Sequence, residues 1–72
     1  MFSARSVFEI KGFSPDCPLS YTQKLMSMGF IPGTHFQILK IAPLGDPYQI
    51  EIRGYSIYMR QSELNLIEVI KI

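Results

Sequence analysis

The strongest pattern in the chain runs from Tyr48 to Arg60. Tyr48, Ile50 and Ile52 alternate with Gln49, Glu51 and Arg53; after Gly54, Tyr55, Ile57 and Met59 alternate with Ser56, Tyr58 and Arg60. A period of two predicts two strands, each with one apolar face. If Arg53-Gly54 is a two-residue turn, Ile52 faces Tyr55, Ile50 faces Ile57 and Tyr48 faces Met59. Every apolar member then lies on one side, and a one-residue slip would destroy that agreement. Tyr48 and Tyr55 are accordingly predicted to point inward. Tyr58 is left on the outer face opposite Gln49, with Arg60 on the same side.

The remaining elements are read outward from this hairpin. Val7 to Lys11 predicts a strand, with Phe8 and Ile10 in phase and Gly12 ending it; Ser14-Pro15-Asp16 predicts a turn. Ser20 to Met28 predicts a helix with Ser20 as its cap, Gln23 completing a capping box, and Gly29 at the left-handed position that ends it. On a helical wheel Tyr21, Leu25 and Met28 share the core face, while Met26 points nearly the opposite way. Pro32-Gly33 predicts a type II turn. Thr34 to Ile41 predicts a strand whose apolar phase changes between Ile38 and Leu39, which calls for a bulge or for burial on both faces. Ala42 to Pro47 is a loop, Gln61 to Asn65 a single helical turn, and Leu66 to Ile72 a closing strand. About five short strands and one short helix predict a mostly β, partly open small barrel.

Composition narrows the function. The 72 residues are expected to form one domain, residues 1–72, and a net charge of +1 with scattered lysines and arginines gives no basic stripe for nucleic acid. A single cysteine, Cys17, permits no internal disulfide, which points to a reducing cytoplasm. No apolar run approaches the roughly 18 residues that span a bilayer, and no signal peptide is read at the start. Nucleotide-loop, zincin and CxxC motifs are missing, so no enzyme is expected. Cys17, His35, Asp16 and Asp46 are the conceivable metal ligands, but none has ligand spacing, so no metal site or cofactor is expected.

Three stretches together resemble a known family. Leu25-Met26-Ser27-Met28-Gly29-Phe30-Ile31-Pro32-Gly33 is similar to the helix-to-turn signature of the FeoA family, small cytosolic proteins of bacterial ferrous iron uptake. Ala42-Pro43-Leu44-Gly45-Asp46-Pro47 resembles that family's APLGDP loop. Ile57-Tyr58-Met59-Arg60, with Glu63-Leu64 and Ile67-Glu68-Val69, resembles its C-terminal motif, with Leu64 where alanine is more usual. The resemblance implies an SH3-like barrel. It also implies partnership with a FeoB-type iron permease that carries a cytosolic GTP-binding domain, and a peripheral position at the inner membrane through that partner. A third small Feo protein is a further partner to consider; direct membrane insertion and nucleic acid are not expected.

The expected partner-binding residues are Met26 with neighbouring Phe30 or Ile31, the loop residues Pro43, Leu44, Gly45 and Asp46, and the outward Tyr58 and Arg60. Methionine adapts to a contact surface, loops carry binding sites, and tyrosine and arginine are enriched in hot spots. Arg60 as an arginine finger competes with the simpler reading of a salt link to Glu63. The alternative function is a regulatory SH3-like domain that binds a peptide or a repressor. Recognition of polyproline needs clustered aromatics, and with Tyr48 and Tyr55 inward only Tyr21 and Tyr58 remain.

Overall fold

A computed structural model describes residues 2–72. Strands β1 (Val7–Phe13), β2 (His35–Ile41), β3 (Tyr48–Ile52), β4 (Tyr55–Met59) and β5 (Ile67–Lys71) form one antiparallel sheet in the order β4-β3-β2-β1-β5. Helix α1 (Leu19–Ser27) lies between β1 and β2 in sequence, and the single turn α2 (Gln61–Leu64) between β4 and β5. Strand β1 is shared: Val7, Phe8 and Glu9 pair with β2, while Phe8 to Phe13 pair with β5. The sheet is the expected partly open barrel, with β4 and β5 as its edges.

The hairpin adopts the predicted register, with Ile52 opposite Tyr55, Ile50 opposite Ile57 and Tyr48 opposite Met59. Both turn residues have positive φ, 52° at Arg53 and 86° at Gly54, the backbone twist that suits a two-residue hairpin. The predicted bulge is present. Pairing of β2 with β3 shifts between Ile38 and Lys40, so that Phe36, Ile38 and Ile41 all meet core-facing residues of β3 and Leu39 is turned out. Strand β1 does not stop at Gly12. A second irregularity, between Ile10 and Gly12 in the pairing with β5, lets the strand continue and packs Phe13 against the core.

Inside, rings form a chain. Phe2 meets Tyr48 and Phe8 edge-on at 6.0 and 5.1 Å, Phe8 stacks on Phe36 at 5.7 Å, and Phe36 touches Phe30 at 6.2 Å. Ile10, Ile38, Ile50, Ile52, Leu25 and Leu64 fill the space around them. Removing Leu25 to alanine from such a site costs roughly 2–5 kcal/mol.

Two sequence expectations about α1 need correction. The helix begins at Leu19 and its cap is Pro18, two residues before the expected cap Ser20; the Pro18 carbonyl accepts the first helical bond from Thr22 N–H at 2.9 Å. Ser20 therefore falls inside the first turn and caps nothing. The reciprocal carboxylate of a capping box occurs at α2 instead, where Glu63 Oε1 accepts from Arg60 N–H at 2.8 Å. The far end of α1 is as predicted and more complete. Gly29 has φ +103°, its N–H bonds the Met26 carbonyl, and Phe30 N–H bonds the Leu25 carbonyl. This is a Schellman motif, and its usual apolar contact joins the fully buried Phe30 and Leu25.

Two tyrosine hydroxyls anchor α1. Tyr21 donates to Glu63 Oε2 at 2.8 Å, linking the first turn to α2, and Tyr55 donates to the Met28 carbonyl, linking the last turn to β4. Tyr55 was expected inside, yet it is 44% exposed. It occupies the correct register position, but β4 is an edge strand, and the ring lies against the helix end instead of entering the core.

Burial, then the bond to the Glu63 carboxylate, raises the Tyr21 phenol from 10.0 to about 12. A raised folded-state value means that the phenol's stabilisation is complete below pH 10.0 and is lost as pH rises towards 12. An ultraviolet absorbance titration is expected to show a late tyrosine ionisation near pH 12, and Tyr21→Phe should remove that late step. If the late step persists in the variant, the assignment to Tyr21 is wrong.

Candidate functional site

Two shallow grooves hold four of the predicted contact residues, Met26 and Ile31 in one and Pro43 and Tyr58 in the other. The first, of about 260 Å3, lies at the C-terminal end of α1 and is lined by Met26, Ser27, Met28, Gly29, Ile31, Arg53 and Tyr55. Each wall follows from a local rule. The helical wheel turns Met26 outward, where it is 42% exposed. The chain reversal at Gly29 sends Phe30 in and leaves Ile31 out, also 42% exposed. The hairpin turn sets the Arg53 side chain over Gly29, so closely that a Cβ built there would lie 2.6 Å from Arg53 Cδ. Tyr55 closes the groove through its bond to Met28.

Phe30 must be removed from the list of surface residues. It is 0% exposed and packs on Phe36, so it has no side-chain atom to offer a partner. Its place beside Met26 is taken by Ile31. Arg53 and Tyr55 were missed as lining residues: the hairpin register located both, but nothing local indicated that this hairpin end meets the helix end.

The second groove, of about 290 Å3, is lined by Lys40, Ala42, Pro43, Pro47, Gln49 and Tyr58. Its floor is a cross-strand row on the outer face, Lys40 opposite Gln49 and Gln49 opposite Tyr58. The loop forms its wall. Ala42 N–H bonds the Pro47 carbonyl at 3.1 Å, and Gly45 N–H bonds the Ala42 carbonyl at 2.8 Å. Gly45 takes φ +91°, where a side chain would be strained, and the Asp46–Pro47 peptide is cis. Leu44 stands at the loop tip, 98% exposed.

Asp46 and Arg60 are placed less simply. Asp46 Oδ1 accepts from Gln61 N–H at 2.7 Å, so this carboxylate supplies α2 with an acceptor that Arg60, at the cap position, cannot. Arg60 is exposed, and it is its backbone N–H that engages Glu63; among the described residues its guanidinium forms no salt bridge. The structure thus brings Pro43 and Tyr58 into one groove and Met26 into another, with Leu44 and Gly45 in the loop beside Pro43.

The conceivable metal ligands do not converge. Among the described residues no group of three His, Cys, Asp or Glu side chains is placed to hold an ion. His35 Nε2 lies 3.8 Å from Glu9 Oε1, and Cys17 Sγ accepts from the Thr22 hydroxyl at 3.2 Å. No helix among the described residues is long and apolar enough to cross a membrane.

Comparison with known proteins places this architecture. A family model described as FeoA domain matches residues 2–71. A solution structure of a Pseudomonas aeruginosa protein is 37% identical, with 99% of this chain and 95% of that one covered and a TM-score of 0.77. The FeoA-like protein of Clostridium acetobutylicum is 35% identical over 96% of this chain and 78% of its own, with a TM-score of 0.83. The fold is also that of the Stenotrophomonas maltophilia FeoA. That structure is at 15% identity, covers 96% of this chain and 84% of that one, and has a TM-score of 0.80. It is described as a zinc complex of a procaryotic SH3 domain protein possibly acting as a ferrous iron transport activating factor. The expected SH3-like barrel is therefore the fold found.

The Asp46 bond makes a prediction about the loop. Asp46→Ala is expected to lower stability in urea unfolding by about 1 kcal/mol and to speed amide exchange at Gln61. Asp46→Asn, which keeps an acceptor oxygen, should recover most of both. Equal behaviour of Asp46→Ala and the parent would show that the carboxylate does not anchor the loop to α2.

Proposed function

Because this chain belongs to the FeoA domain family, we propose that it is a non-catalytic accessory factor of ferrous iron uptake. It docks on the cytosolic side of a FeoB-type permease and promotes or regulates transport from there. The family is a small accessory domain of iron transport, and the S. maltophilia relative, with the same fold, is described as a possible activating factor. In this reading the protein resides in the cytoplasm and reaches the membrane only through its partner.

The observation that carries the reading is the groove at the end of α1. Met26 and Ile31 are apolar, exposed and held on a helix end that is fixed by the Schellman bonds and by Tyr55. A surface already ordered loses little conformational entropy on binding, which favours association through a small area. Neither groove converges nucleophile, base and acid as a reaction would require. The chemistry on offer is recognition: thioether and aliphatic contacts from Met26 and Ile31, with Arg53 and Tyr55 at the rim.

Titration of the labelled protein with the cytosolic G domain and with the intact permease, each with and without a GTP analogue, tests this. Amide shifts are expected at Met26, Gly29, Ile31 and Arg53. Met26→Asp should weaken binding at least about tenfold while leaving the spectrum of the free protein folded. A folded Met26→Asp variant with undiminished affinity would rule out the site. Absence of binding in every nucleotide state, to domain and permease alike, would rule out the partner.

A further inference from the structure

We propose that this chain forms a two-fold dimer in which Leu44 of each copy inserts into the α1 groove of the other. Dimer and permease then compete for one groove, so self-association holds the protein in a form that cannot dock. The contact itself needs only the loop and the groove, and stands or falls without the permease.

Both halves of the contact are carried by one chain. Leu44 is 98% exposed, the most exposed large hydrophobic side chain among the described residues. Its loop is also fixed in place. Ala42 N–H bonds the Pro47 carbonyl, Gly45 N–H bonds the Ala42 carbonyl, and Asp46 Oδ1 accepts from Gln61 N–H. Pro43, directly before Leu44, has a restricted φ. An aliphatic side chain held in water on an ordered tip gains most from a preformed apolar recess, because burial is favourable and little entropy is lost on entry. The α1 groove is such a recess. Met26, Met28 and Ile31 give it apolar walls, and its volume of about 260 Å3 takes an aliphatic side chain but not a helix. A bilayer does not suit the loop. One leucine buries too little to hold a domain there, where even a whole acyl chain binds only marginally.

Placement selects a second copy. Loop and groove sit at opposite ends of the β3-β4 hairpin: the loop runs into Tyr48, while Arg53 of the turn and Tyr55 line the groove. The strands between them have five residues each, a span of about 17 Å. That separation keeps Leu44 from the groove of its own chain. Two hairpins laid antiparallel about a two-fold axis bring each loop to the other copy's groove, and both contacts form at once in a closed pair. Strand β4 can lie along such an axis. It is an edge of the sheet, Tyr55 to Met59 carry no charge, and Ser56 and Tyr58 are exposed. At the loop end Lys40 and Arg60 are offset by Asp46 and Glu63, so Arg53 at the groove rim meets no net charge and the contact is an apolar one.

Dilution of the protein from about 2 mM to about 20 μM, followed by amide shifts and by sedimentation, tests this. The amides of Met26, Gly29 and Ile31 should move together with those of Leu44 and Gly45 as the dimer dissociates, and added salt should leave the association in place. Leu44→Asp and Met26→Asp should each weaken it at least about tenfold, with the spectra of the free variants still folded. Mixed in equal amounts, the two variants should associate again, because Leu44→Asp keeps an intact groove and Met26→Asp an intact loop. A merely structural effect of either substitution gives no such rescue. Leu44→Asp, whose groove is never filled by its own kind, should bind the permease at least as tightly as the parent. Absence of permease binding by every form would count against the docking reading alone, since the dilution and mixing experiments contain no permease. Three results would overturn the dimer: shifts and sedimentation that do not change over the dilution series, association undiminished in either variant, or an equal mixture of the two variants that stays monomeric. Weaker permease binding by Leu44→Asp than by the parent would overturn the competition.

Discussion

Where α1 ends, the last carbonyls of the helix have no partners within it, and the chain must turn back to satisfy them. Gly29 makes that turn by taking a left-handed conformation, so that its own N–H and that of Phe30 reach the carbonyls of Met26 and Leu25. The same reversal drives Phe30 onto Leu25 and into the aromatic chain of the core. It also sends Ile31 out beside Met26. Core packing and surface chemistry are therefore set together by one backbone constraint, and a side chain at position 29 would meet both a strained φ and the Arg53 stem.

The barrel accommodates this helix because its sheet is open. Strands β4 and β5 do not pair, and the helices link the elements around the gap through Tyr21 to Glu63 and Tyr55 to Met28. Aromatic side chains suit the task, since each covers apolar surface with its ring and satisfies a polar group with its hydroxyl. The outcome is a small body on which the α1 groove and the loop groove lie on different parts of the surface. In the proposed role, that arrangement suits a module that holds a partner in a given orientation.

Bulges extend what so few residues can do. The one at Ile38–Lys40 keeps Phe36, Ile38 and Ile41 in the core although the sequence slips phase, and it moves Lys40 opposite Gln49, where it joins the outer row. A straight strand would have had to expose Ile41 or bury Lys40. The irregularity after Ile10 likewise lets β1 pass Gly12 and bring Phe13 to the core.

Hairpin register, helix end, bulge and loop were legible in the residues because each depends on local periodicity or on a backbone angle that few residue types adopt. Tyr48 to Met59 alternates strictly, Gly29 follows an amphipathic run, and the phase break at Leu39 has few physical solutions. Phe30 was also within reach, since a Schellman motif buries the residue after its glycine. Other features were decided only when distant segments met. Pro18 replaced Ser20 as cap because the helix is positioned by its packing and not by its first polar residue. Tyr55 stayed at the surface because β4 is an edge, Asp46 found Gln61 across the loop, and Arg53 came to rest on Gly29. Alternation and caps act over a few residues and are written in the order of the chain; such pairings depend on how helix, hairpin and loop approach one another, which only the assembled barrel specifies.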